Sequence, residues 1–420
     1  MRTRSGRILA ALAASAMLVL AAGCSSDDDS GSSDTSSAAQ ASGTKATGTP
    51  VKIGLFDPSA GPITNPGVAV GADAAVDYIN NTLGGLNGQP IELVPCAVDG
   101  TSPESTIGCA NQFVQGGVVA TVDGYNTTSS AALPILQSAG IPMIGQIPFD
   151  SVTGARPDNR VYFAAPQASF LIGALQSFQA QGKKSVTLVV ADLPATHQTV
   201  DAILGPVGQQ MGITVTGQYY APANPNFTAV ASAIKNTNPD VGGLMASPDE
   251  ATCTKLAQSL DSVGYEGTKF MAACTDFIET LGAKAAGAEM YSPIWLPQAK
   301  DSAPQLAQEQ LDLATGYIED AGDTADFYTY STFGTFVNIA NALNTAKSEL
   351  TGPAILATLK GLTDFQSFLG PVVSCNKPTS PNCTTQMLMY EVGDDQTITP
   401  IGEGYITPNP QIMAMIPGAT

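Results

Sequence analysis

The sequence has a single histidine and few charged residues, which make up 13% of its 420 positions. One histidine argues against a multi-histidine metal site and against a histidine relay. Basic residues are scarcer than acidic ones, 17 against 36, so the net charge is −19. Because phosphate contacts need clustered lysine and arginine, this balance argues against a nucleic-acid partner. Apolar residues make up 44%, enough for a sizeable core, and the length allows roughly two to four domains.

Enzyme signatures are also missing from the sequence. It contains no Gly-x-Ser-x-Gly elbow, no nucleotide-phosphate loop and no cluster of metal-ligand residues. A catalytic triad would have to use His197, for which the sequence offers no credible serine partner. We therefore expect a protein that is not an enzyme and that carries no cofactor and no metal.

The N-terminus resembles a bacterial export signal with a lipidation site. Three arginines among the first seven residues precede an apolar stretch at 8–22, which is too short to span a membrane comfortably. The stretch ends in Leu-Ala-Ala-Gly-Cys, which resembles the lipobox in which the cysteine, here Cys24, is lipidated and becomes the mature N-terminus. An ordinary signal with a chance cysteine is the alternative. We expect residues 1–23 to be a signal peptide, and residues 24–50 to be the lipidated cysteine followed by a disordered tether.

A lipid on Cys24 would hold the protein on the outer face of the bacterial cytoplasmic membrane, since each buried methylene contributes about 0.8 kcal/mol. No later stretch of the sequence reaches about 18 unbroken apolar residues, so we expect no membrane-spanning helix after the signal. The membrane is therefore an expected partner of the mature protein through its lipid alone.

Six further cysteines fall into three couples that are close in sequence. Several pairings are possible in principle, but in an exported protein we expect the members of each couple to form a disulfide. A metal site is the alternative, although the spacings differ from the Cys-x₂-Cys pattern of zinc sites. The couples are Cys96 with Cys109, Cys253 with Cys274, and Cys375 with Cys383.

From residue 51 onward, short apolar segments alternate with segments of helical periodicity. Strands alternating with helices predict the α/β class, with parallel sheets covered by helices on both faces. The predicted strands are 51–56, 91–98, 118–122, 141–144, 185–190, 213–219, 241–246 and 270–274.

The second predicted helix carries a clear start signal. Ser102 is the expected N-cap, and Pro103 takes the first helical position. The apolar periodicity predicts which residues face the core. They are Ile107, Ala110, Phe113 and Val114.

A later helix start lies beside a cysteine couple. The run Ser-Pro-Asp-Glu predicts a capping box with Ser247 at the N-cap and Glu250 at N3. Cys253 then lies in the first turns of that helix, and Cys274 ends the next strand. Their disulfide would lie at the carboxyl edge of the sheet, where open α/β folds bind ligands.

Segments near the start of the α/β region resemble a known family, the type I periplasmic binding proteins, and specifically the branched-chain-amino-acid receptors of ABC importers. Residues 52–56 with 60–62 are similar to the opening strand and turn of that family. The segments 78–80, 84–88 and 91–93, Tyr-Ile-Asn, Gly-Gly-Leu-Asn-Gly and Ile-Glu-Leu, are similar to its first helix and second strand.

The resemblance implies two Rossmann-like α/β lobes joined by three hinge crossings, with the ligand enclosed between the lobes. By analogy, the crossings fall near Ala165, Tyr291 and Gly370. Lobe one would comprise 51–165 plus 292–370, and lobe two would comprise 166–291 plus 371–420.

The resemblance also implies where the first lobe contacts its ligand. In the family, the loop after the third strand holds a ligand carboxylate with hydroxyls and backbone N–H groups at a helix start, which suits an anion. The corresponding residues are Tyr125, Asn126, Thr127 and Thr128, and plain N-capping by Thr127 or Ser129 is the alternative. The loop after the fourth strand departs from the family pattern, and its Gln146 and Phe149 are candidates to contact a different ligand.

Three candidates follow from the second lobe and the hinge. His197 follows the first strand of lobe two and either lines the cleft or lies on a helix surface. Ser247 or Pro248 takes the place of a family aromatic at the end of the third strand. Trp295 lies near a hinge crossing, where it is a candidate wall of the cleft.

The acid that family receptors use to bind a ligand ammonium is missing from its usual place, which Cys274 occupies here. An ammonium that enters a low-dielectric cleft unpaired costs several kcal/mol. Asp276, with Thr275 beside it, is the candidate substitute. Without that substitution, the ligand is not an α-amino acid.

The sequence therefore favours an extracytoplasmic, lipid-anchored receptor that captures a small polar solute by hinge closure and delivers it to an ABC permease. The solute would be an amino acid, an amide or a carboxylate. The alternative is a sensing lipoprotein that reports the solute to a membrane signalling partner.

Overall fold

The computed structural model describes residues 43–246, 249–321 and 326–416. This part of the chain folds around two large β-sheets, one of five strands and one of seven. The predicted signal peptide, Cys24 and the first part of the predicted tether lie outside the described residues. Within the described ranges, no helix combines the length and the apolar character needed to cross a membrane.

The strands of the two large sheets and of one small hairpin are numbered in chain order. They are β1 (Val51–Ala60), β2 (Ile91–Asp99), β3 (Ala120–Asp123), β4 (Met143–Gly145), β5 (Arg160–Tyr162), β6 (Ser185–Ala191), β7 (Thr214–Tyr220), β8 (Val241–Leu244), β9 (Thr268–Met271), β10 (Glu289–Ser292), β11 (Phe365–Gln366), β12 (Val372–Val373), β13 (Leu388–Val392) and β14 (Ile398–Pro400).

The helices alternate with the strands through most of the chain. They are α1 (Gly67–Asn81), α2 (Pro103–Gly116), α3 (Leu133–Ser138), α4 (Ser151–Ala155), α5 (Gln167–Ala180), α6 (Pro194–His197), α7 (Gly205–Gln210), α8 (Phe227–Thr237), α9 (Glu250–Ser262), α10 (Asp276–Leu281), α11 (Gln305–Ala321), α12 (Phe327–Ala346), α13 (Gly352–Lys360) and α14 (Pro410–Met413). Short 3₁₀ turns cover Ser129–Ala131, Gly282–Ala285 and Pro297–Ser302, and Gln198–Leu204 is π-helical.

The two sheets share one strand order. The five-stranded sheet is β2-β1-β3-β4-β5, with every neighbouring pair parallel. The seven-stranded sheet repeats that order as β7-β6-β8-β9-β10 and adds β13 and β14 antiparallel at the β10 edge. The predicted α/β class is confirmed, although the sequence did not indicate the antiparallel pair. In each sheet the order reverses beside the first strand, and such switch points are where open α/β sheets bind ligands.

Helix α12 is buried along most of its length and packs lengthwise against α1. The approach is close, because a Cβ on Gly71 would stand 2.2 Å from the carbonyl oxygen of Thr329. Helix α11 also packs against α1, and α13 contacts both α12 and β5. These helices therefore accompany the five-stranded sheet, although they follow the parallel strands of the seven-stranded sheet in sequence.

Helix α2 begins as predicted, but its buried face differs from the prediction. The Ser102 hydroxyl accepts a backbone N–H of the first turn at 3.3 Å. Ile107 and Val114, which were predicted to face the core, are 39% and 40% exposed. The buried stripe is turned by about one residue because Cys109 must face β2 to bond Cys96. The buried residues of α2 are Thr106, Cys109, Ala110 and Phe113.

The start of α9 also differs from the predicted capping box. The N-cap is Asp249, whose carboxylate accepts the N–H of Thr252 at 2.6 Å. Ser247, the predicted N-cap, lies outside the described residues. Glu250 is therefore the first helical residue rather than the N3 residue, and its side chain is available for contacts beyond its own helix.

All three predicted disulfides are present. They join β2 to α2, α9 to the segment before α10, and the two ends of a short loop after β12. The bonded pairs are Cys96–Cys109, Cys253–Cys274 and Cys375–Cys383. Within the ranges that the structure describes, no group of three or more His, Cys, Asp or Glu side chains could hold a metal ion.

Candidate functional site

The candidate site lies at the carboxyl ends of strands from both sheets. In the five-stranded sheet, Tyr125 follows β3 and Phe149 follows β4, whereas Glu250 follows β8 and Asp276 follows β9 in the seven-stranded sheet. Because the sheets share one strand order, the β3 and β8 loops occupy equivalent positions, and so do the β4 and β9 loops. The start of α12 lies against both groups of loops.

The polar side chains of the loop after β3 are occupied within the protein. Asn126 Nδ2 donates to Thr106 Oγ1 at 2.8 Å, and Asn126 Oδ1 accepts the N–H and the hydroxyl of Thr128 at 3.1 and 3.0 Å. Thr127 Oγ1 donates to the carbonyl oxygen of Gly100 at 2.5 Å. Three of the four residues predicted to contact the ligand here therefore point polar atoms at other parts of the protein.

The backbone at the end of this loop is occupied as well. The N–H of Ser130 donates to Asp150 Oδ2 at 2.8 Å. Asp150 Oδ1 accepts the N–H of Thr153 at 2.7 Å and so caps α4. A helix start of the kind that attracts anions thus already faces a carboxylate of the protein.

Asp123, the last residue of β3, is a buried carboxyl group that fixes the loop. Tyr162 donates its hydroxyl to Asp123 Oδ2 at 2.6 Å. Ser129 Oγ and the N–H of Asn126 donate to Asp123 Oδ1 at 2.8 and 3.2 Å. Burial outweighs these donors and raises the pKa of Asp123 to about 6.

Tyr125 is the centre of an aromatic cluster that we define as Tyr125, Phe149, Phe327 and Tyr328. The Tyr125 ring packs edge-on against the other three, with centroid distances of 5.2 Å to Phe149, 5.9 Å to Phe327 and 5.1 Å to Tyr328. Its hydroxyl donates to Ser331 Oγ on α12 at 2.5 Å. The cluster therefore ties the β3 and β4 loops to the start of α12.

Glu250 reaches from the start of α9 to the start of α10. Its carboxylate accepts the N–H of Thr275 at 3.0 and 3.2 Å and the N–H of Asp276 at 3.1 Å. The Thr275 hydroxyl makes no capping bond to α10. That hydroxyl oxygen is buried and has no hydrogen-bond partner among the described residues.

Three acids, Glu250, Asp276 and Asp326, form what we call the carboxylate cluster. Burial raises the pKa of Glu250, and the negative charges of Asp276 and Asp326 raise it further. Burial and the charge of Asp326 likewise raise the pKa of Asp276. None of the ion pairs in the described part of the chain gives these acids a lysine, arginine or histidine partner. The cluster therefore has no cationic partner among the described residues.

Gln146 and Trp295 are both buried, in different surroundings. Gln146 Oε1 accepts the hydroxyl of Thr335 on α12 at 3.3 Å. Trp295 packs edge-on against Tyr390 and Tyr405, with centroid distances of 6.2 Å to each. The rings that pack against Trp295 are thus not those of the aromatic cluster.

His197 lies in a partly exposed aspartate–histidine–aspartate arrangement at the end of α6. Its Nε2 is 3.0 Å from Asp192 Oδ1, and its Nδ1 is 3.1 Å from Asp201 Oδ2. The ring stacks on Tyr219 with a centroid distance of 3.7 Å. Both carboxylates raise the pKa of His197, Asp192 more than Asp201.

We expect His197 to titrate above the ordinary histidine pKa, because both carboxylates favour its charged form. The chain has one histidine, so an NMR titration of tag-free protein gives a single imidazole curve. Asp192→Asn should lower the midpoint, whereas Asp320→Asn, an exposed aspartate on α11, should leave it unchanged. An unchanged midpoint in Asp192→Asn would contradict the assigned contacts.

Sequence reasoning did not identify Glu250, Asp326 or Tyr328 as site residues. Glu250 was assigned to a capping box. Asp326 does cap α12, with its Oδ1 accepting the N–H of Thr329 at 2.8 Å. The order of elements could have indicated Glu250. It follows β8 as Tyr125 follows β3, and the two strands hold equivalent places in the two sheets.

Comparisons with known proteins agree with this architecture. A family model described as periplasmic binding protein matches residues 50–397. No functionally curated protein matches the sequence.

Solved structures share the fold at low sequence identity. A leucine-binding protein from Thermotoga maritima is 16% identical with a TM-score of 0.66, over 85% of this chain and 99% of that chain. An ABC-transporter solute-binding protein from R. palustris, in complex with 4-hydroxybenzoate, is 16% identical with a TM-score of 0.67, over 83% and 95%. An ABC-transporter substrate-binding protein from Aeropyrum pernix is 13% identical with a TM-score of 0.71, over 89% and 99%. With a family model matched over most of its length, the chain belongs to the periplasmic binding protein family and has the two-lobed α/β fold of the type I members.

Proposed function

We propose that the protein is a lipid-anchored, extracytoplasmic solute-binding protein of an ABC importer, which captures a small polar solute by hinge closure and delivers it to a permease. The observation that carries the proposal is that residues from the two sheets lie near one another, since the charge of Glu250 acts on the Tyr328 hydroxyl. Tyr125 and Tyr328 accompany the five-stranded sheet, and Glu250 comes from the seven-stranded sheet. A solute that contacts both groups would stabilise the closed population over the open one.

The hinge is proposed at three crossings near Ala165, Tyr291 and Gly370. The chain leaves the five-stranded sheet after β5 and enters the seven-stranded sheet. It leaves the seven-stranded sheet after β10 and returns to that sheet at β13. Near the last two crossings, the N–H of Trp295 donates to the carbonyl oxygen of Leu369 at 2.7 Å, so these segments run side by side. The proposed lobes are 51–165 plus 292–370, and 166–291 plus 371–420.

The anchor is proposed at Cys24, with the residues that follow it as the tether that separates the lobes from the membrane. The predicted tether of 24–50 is too long, because the backbone of residues 44–48 is hydrogen-bonded to the end of α1 and the turn that follows it. Replacement of the lipidated cysteine removes the anchor without altering the lobes. Cys24→Ala protein should therefore leave the membrane fraction and appear in soluble fractions outside the cytoplasm.

The capture of a solute is tested by the small molecules that leave the purified protein on unfolding. We expect mass spectrometry to detect one released compound in near-stoichiometric amount. The refolded, solute-free protein should show a larger radius of gyration in small-angle scattering than the protein with that compound restored. The absence of any released compound, together with identical scattering before and after unfolding and refolding, would contradict the proposal.

A further inference from the structure

We infer that the site takes an organic cation, a solute with an ammonium or guanidinium group and no carboxylate, whose positive group lies against Glu250 beside Asp276 and Asp326. The inference rests on the proposed function, because it names the class of solute for the same site. It differs from the expectation of an amino acid, an amide or a carboxylate.

The first support is the unbalanced charge of the carboxylate cluster. Glu250 and Asp326 are only 8% and 5% exposed. Buried carboxylates without a cationic partner are costly, and a positive group that forms charge-assisted hydrogen bonds to them removes most of that cost. Glu250 has N–H donors from Thr275 and Asp276 but no cation, so a ligand cation is the complement that the protein itself does not provide.

The second support is the Thr275 hydroxyl, which is independent of the charges. Thr275 is 4% exposed, and its Oγ1 has no hydrogen-bond partner among the described residues. Its backbone N–H contacts Glu250, so the hydroxyl stands on the residue that faces that carboxylate. A buried hydroxyl without a partner is costly, and an N–H group of a ligand held by Glu250 supplies the missing partner.

The third support is the aromatic side of the site. Tyr328 lies in the first turn of α12, two residues after Asp326, and burial, together with the charges of Glu250 and Asp326, raises the pKa of its hydroxyl. Its ring packs against Tyr125, whose ring also contacts Phe149. Aromatic faces attract organic cations, particularly guanidinium and substituted ammonium groups.

The fourth support is that polar groups on the opposite side of the site, where the family would hold a ligand carboxylate, are bound within the protein. The hydroxyl and amide groups of Asn126, Thr127 and Thr128 are bound within the protein. The N–H of Ser130 is bound by the protein's own Asp150. A ligand carboxylate there would meet an existing negative charge, whereas a cation without a carboxylate needs none of these donors.

The experiment compares four probes that share one hydrocarbon skeleton. They are 3-methylbutylamine with an ammonium only, leucine with both charges, 4-methylpentanoate with a carboxylate only, and 4-methylpentanamide with neither. We add 1,4-diaminobutane and 4-aminobutylguanidine as longer cations. Thermal unfolding and titration calorimetry on protein with its disulfides intact should show binding by at least one cation. Every cation that binds should do so at least tenfold more tightly than leucine, the carboxylate or the amide.

Three site variants and one control variant locate the binding group. Glu250→Gln and Asp276→Asn should each weaken binding of the cation at least tenfold. The control Asp320→Asn, which also removes one negative charge but from an exposed position, should not. Asp276→Asn remains a valid test even if Glu250→Gln alters the start of α10. The reason is that Asp276 donates to Glu250 through its backbone N–H, which the substitution keeps. Thr275→Val should weaken binding without lowering the unfolding temperature of the solute-free protein, since it removes an unpartnered hydroxyl.

The inference and the proposed function can fail separately. Binding of leucine, the carboxylate or the amide in preference to the cations, or failure of every cation to bind, overturns the cation inference. Unchanged cation affinity in both Glu250→Gln and Asp276→Asn overturns it as well. The proposed function instead depends on the compound released from the purified protein and on the change in scattering, so a released anion or neutral compound would support it while refuting the cation.

Discussion

The protein is expected to resist unfolding more strongly near about pH 4 than near about pH 7, with about 2 kcal/mol of the difference due to Asp123 alone. Burial raises the pKa of Asp123 from 3.8 to about 6 in the folded state. Between these two values, the folded protein binds the proton more tightly than the unfolded chain does. The free energy of unfolding therefore falls as the pH rises through this window and levels off above it.

Hydrogen bonds lower the pKa values of Asp99, Asp201, Asp240 and Asp395, so these four acids favour the folded state more at neutral pH. Six other acids act in the same direction as Asp123. Burial raises their pKa values, so each favours the folded state more at low pH than at neutral pH. These acids are Asp57, Asp73, Glu250, Asp276, Glu289 and Asp326.

The share of Asp123 is isolated with Asp123→Asn. An asparagine carbonyl can accept from Ser129 and Asn126, while its amide can donate to the Tyr162 hydroxyl, so the loop keeps its contacts. Urea unfolding at both pH values should show a pH difference smaller by about 2 kcal/mol than in the unaltered protein. Asp320→Asn should keep the full difference, and an equal pH difference in both variants would refute the role of Asp123.

The features that were predicted correctly from the sequence depend on local signals. Ser102 caps α2 through a hydrogen bond within one helical turn, and the cysteine couples join neighbouring elements. Alternation of strand and helix patterns indicated the α/β class for the same reason. Each of these signals involves residues that are close in sequence, so no knowledge of the packing of distant segments was needed.

The carboxylate cluster could not be predicted in this way, because its contacts join distant segments. Whether Glu250 serves its own helix or α10 depends on the packing of α9 against α10, which brings its carboxylate to Thr275 and Asp276. The position of Asp326 depends on α12 packing against α1, where a Cβ on Gly67 would stand 2.3 Å from Asp326 Oδ1. The exposed Ile107 shows the same limit, since periodicity gives the width of a face but not its exact rotation.

Removal of the Cys253–Cys274 disulfide is expected to lower the free energy of unfolding by about 3 kcal/mol and to loosen the contact between Glu250 and α10. The bond closes a loop with a sequence separation of 21, which restricts the unfolded chain. In the folded state, it ties α9 three residues after Glu250 to the residue just before Thr275. The disulfide therefore holds both partners of the Glu250 hydrogen bonds in register.

The Cys96–Cys109 bond is the matched control, because it closes a loop with a sequence separation of 13 between β2 and α2, outside the aromatic and carboxylate clusters. The double variants Cys253→Ala with Cys274→Ala, and Cys96→Ala with Cys109→Ala, should lose similar stability in urea unfolding. Only the first should show faster hydrogen exchange at the amides of Thr275 and Asp276, which donate to Glu250. It should also bind the cationic probe more weakly, because the carboxylate is then no longer held in place. Equal protection of these amides in both double variants would mean that Glu250 is positioned by packing alone.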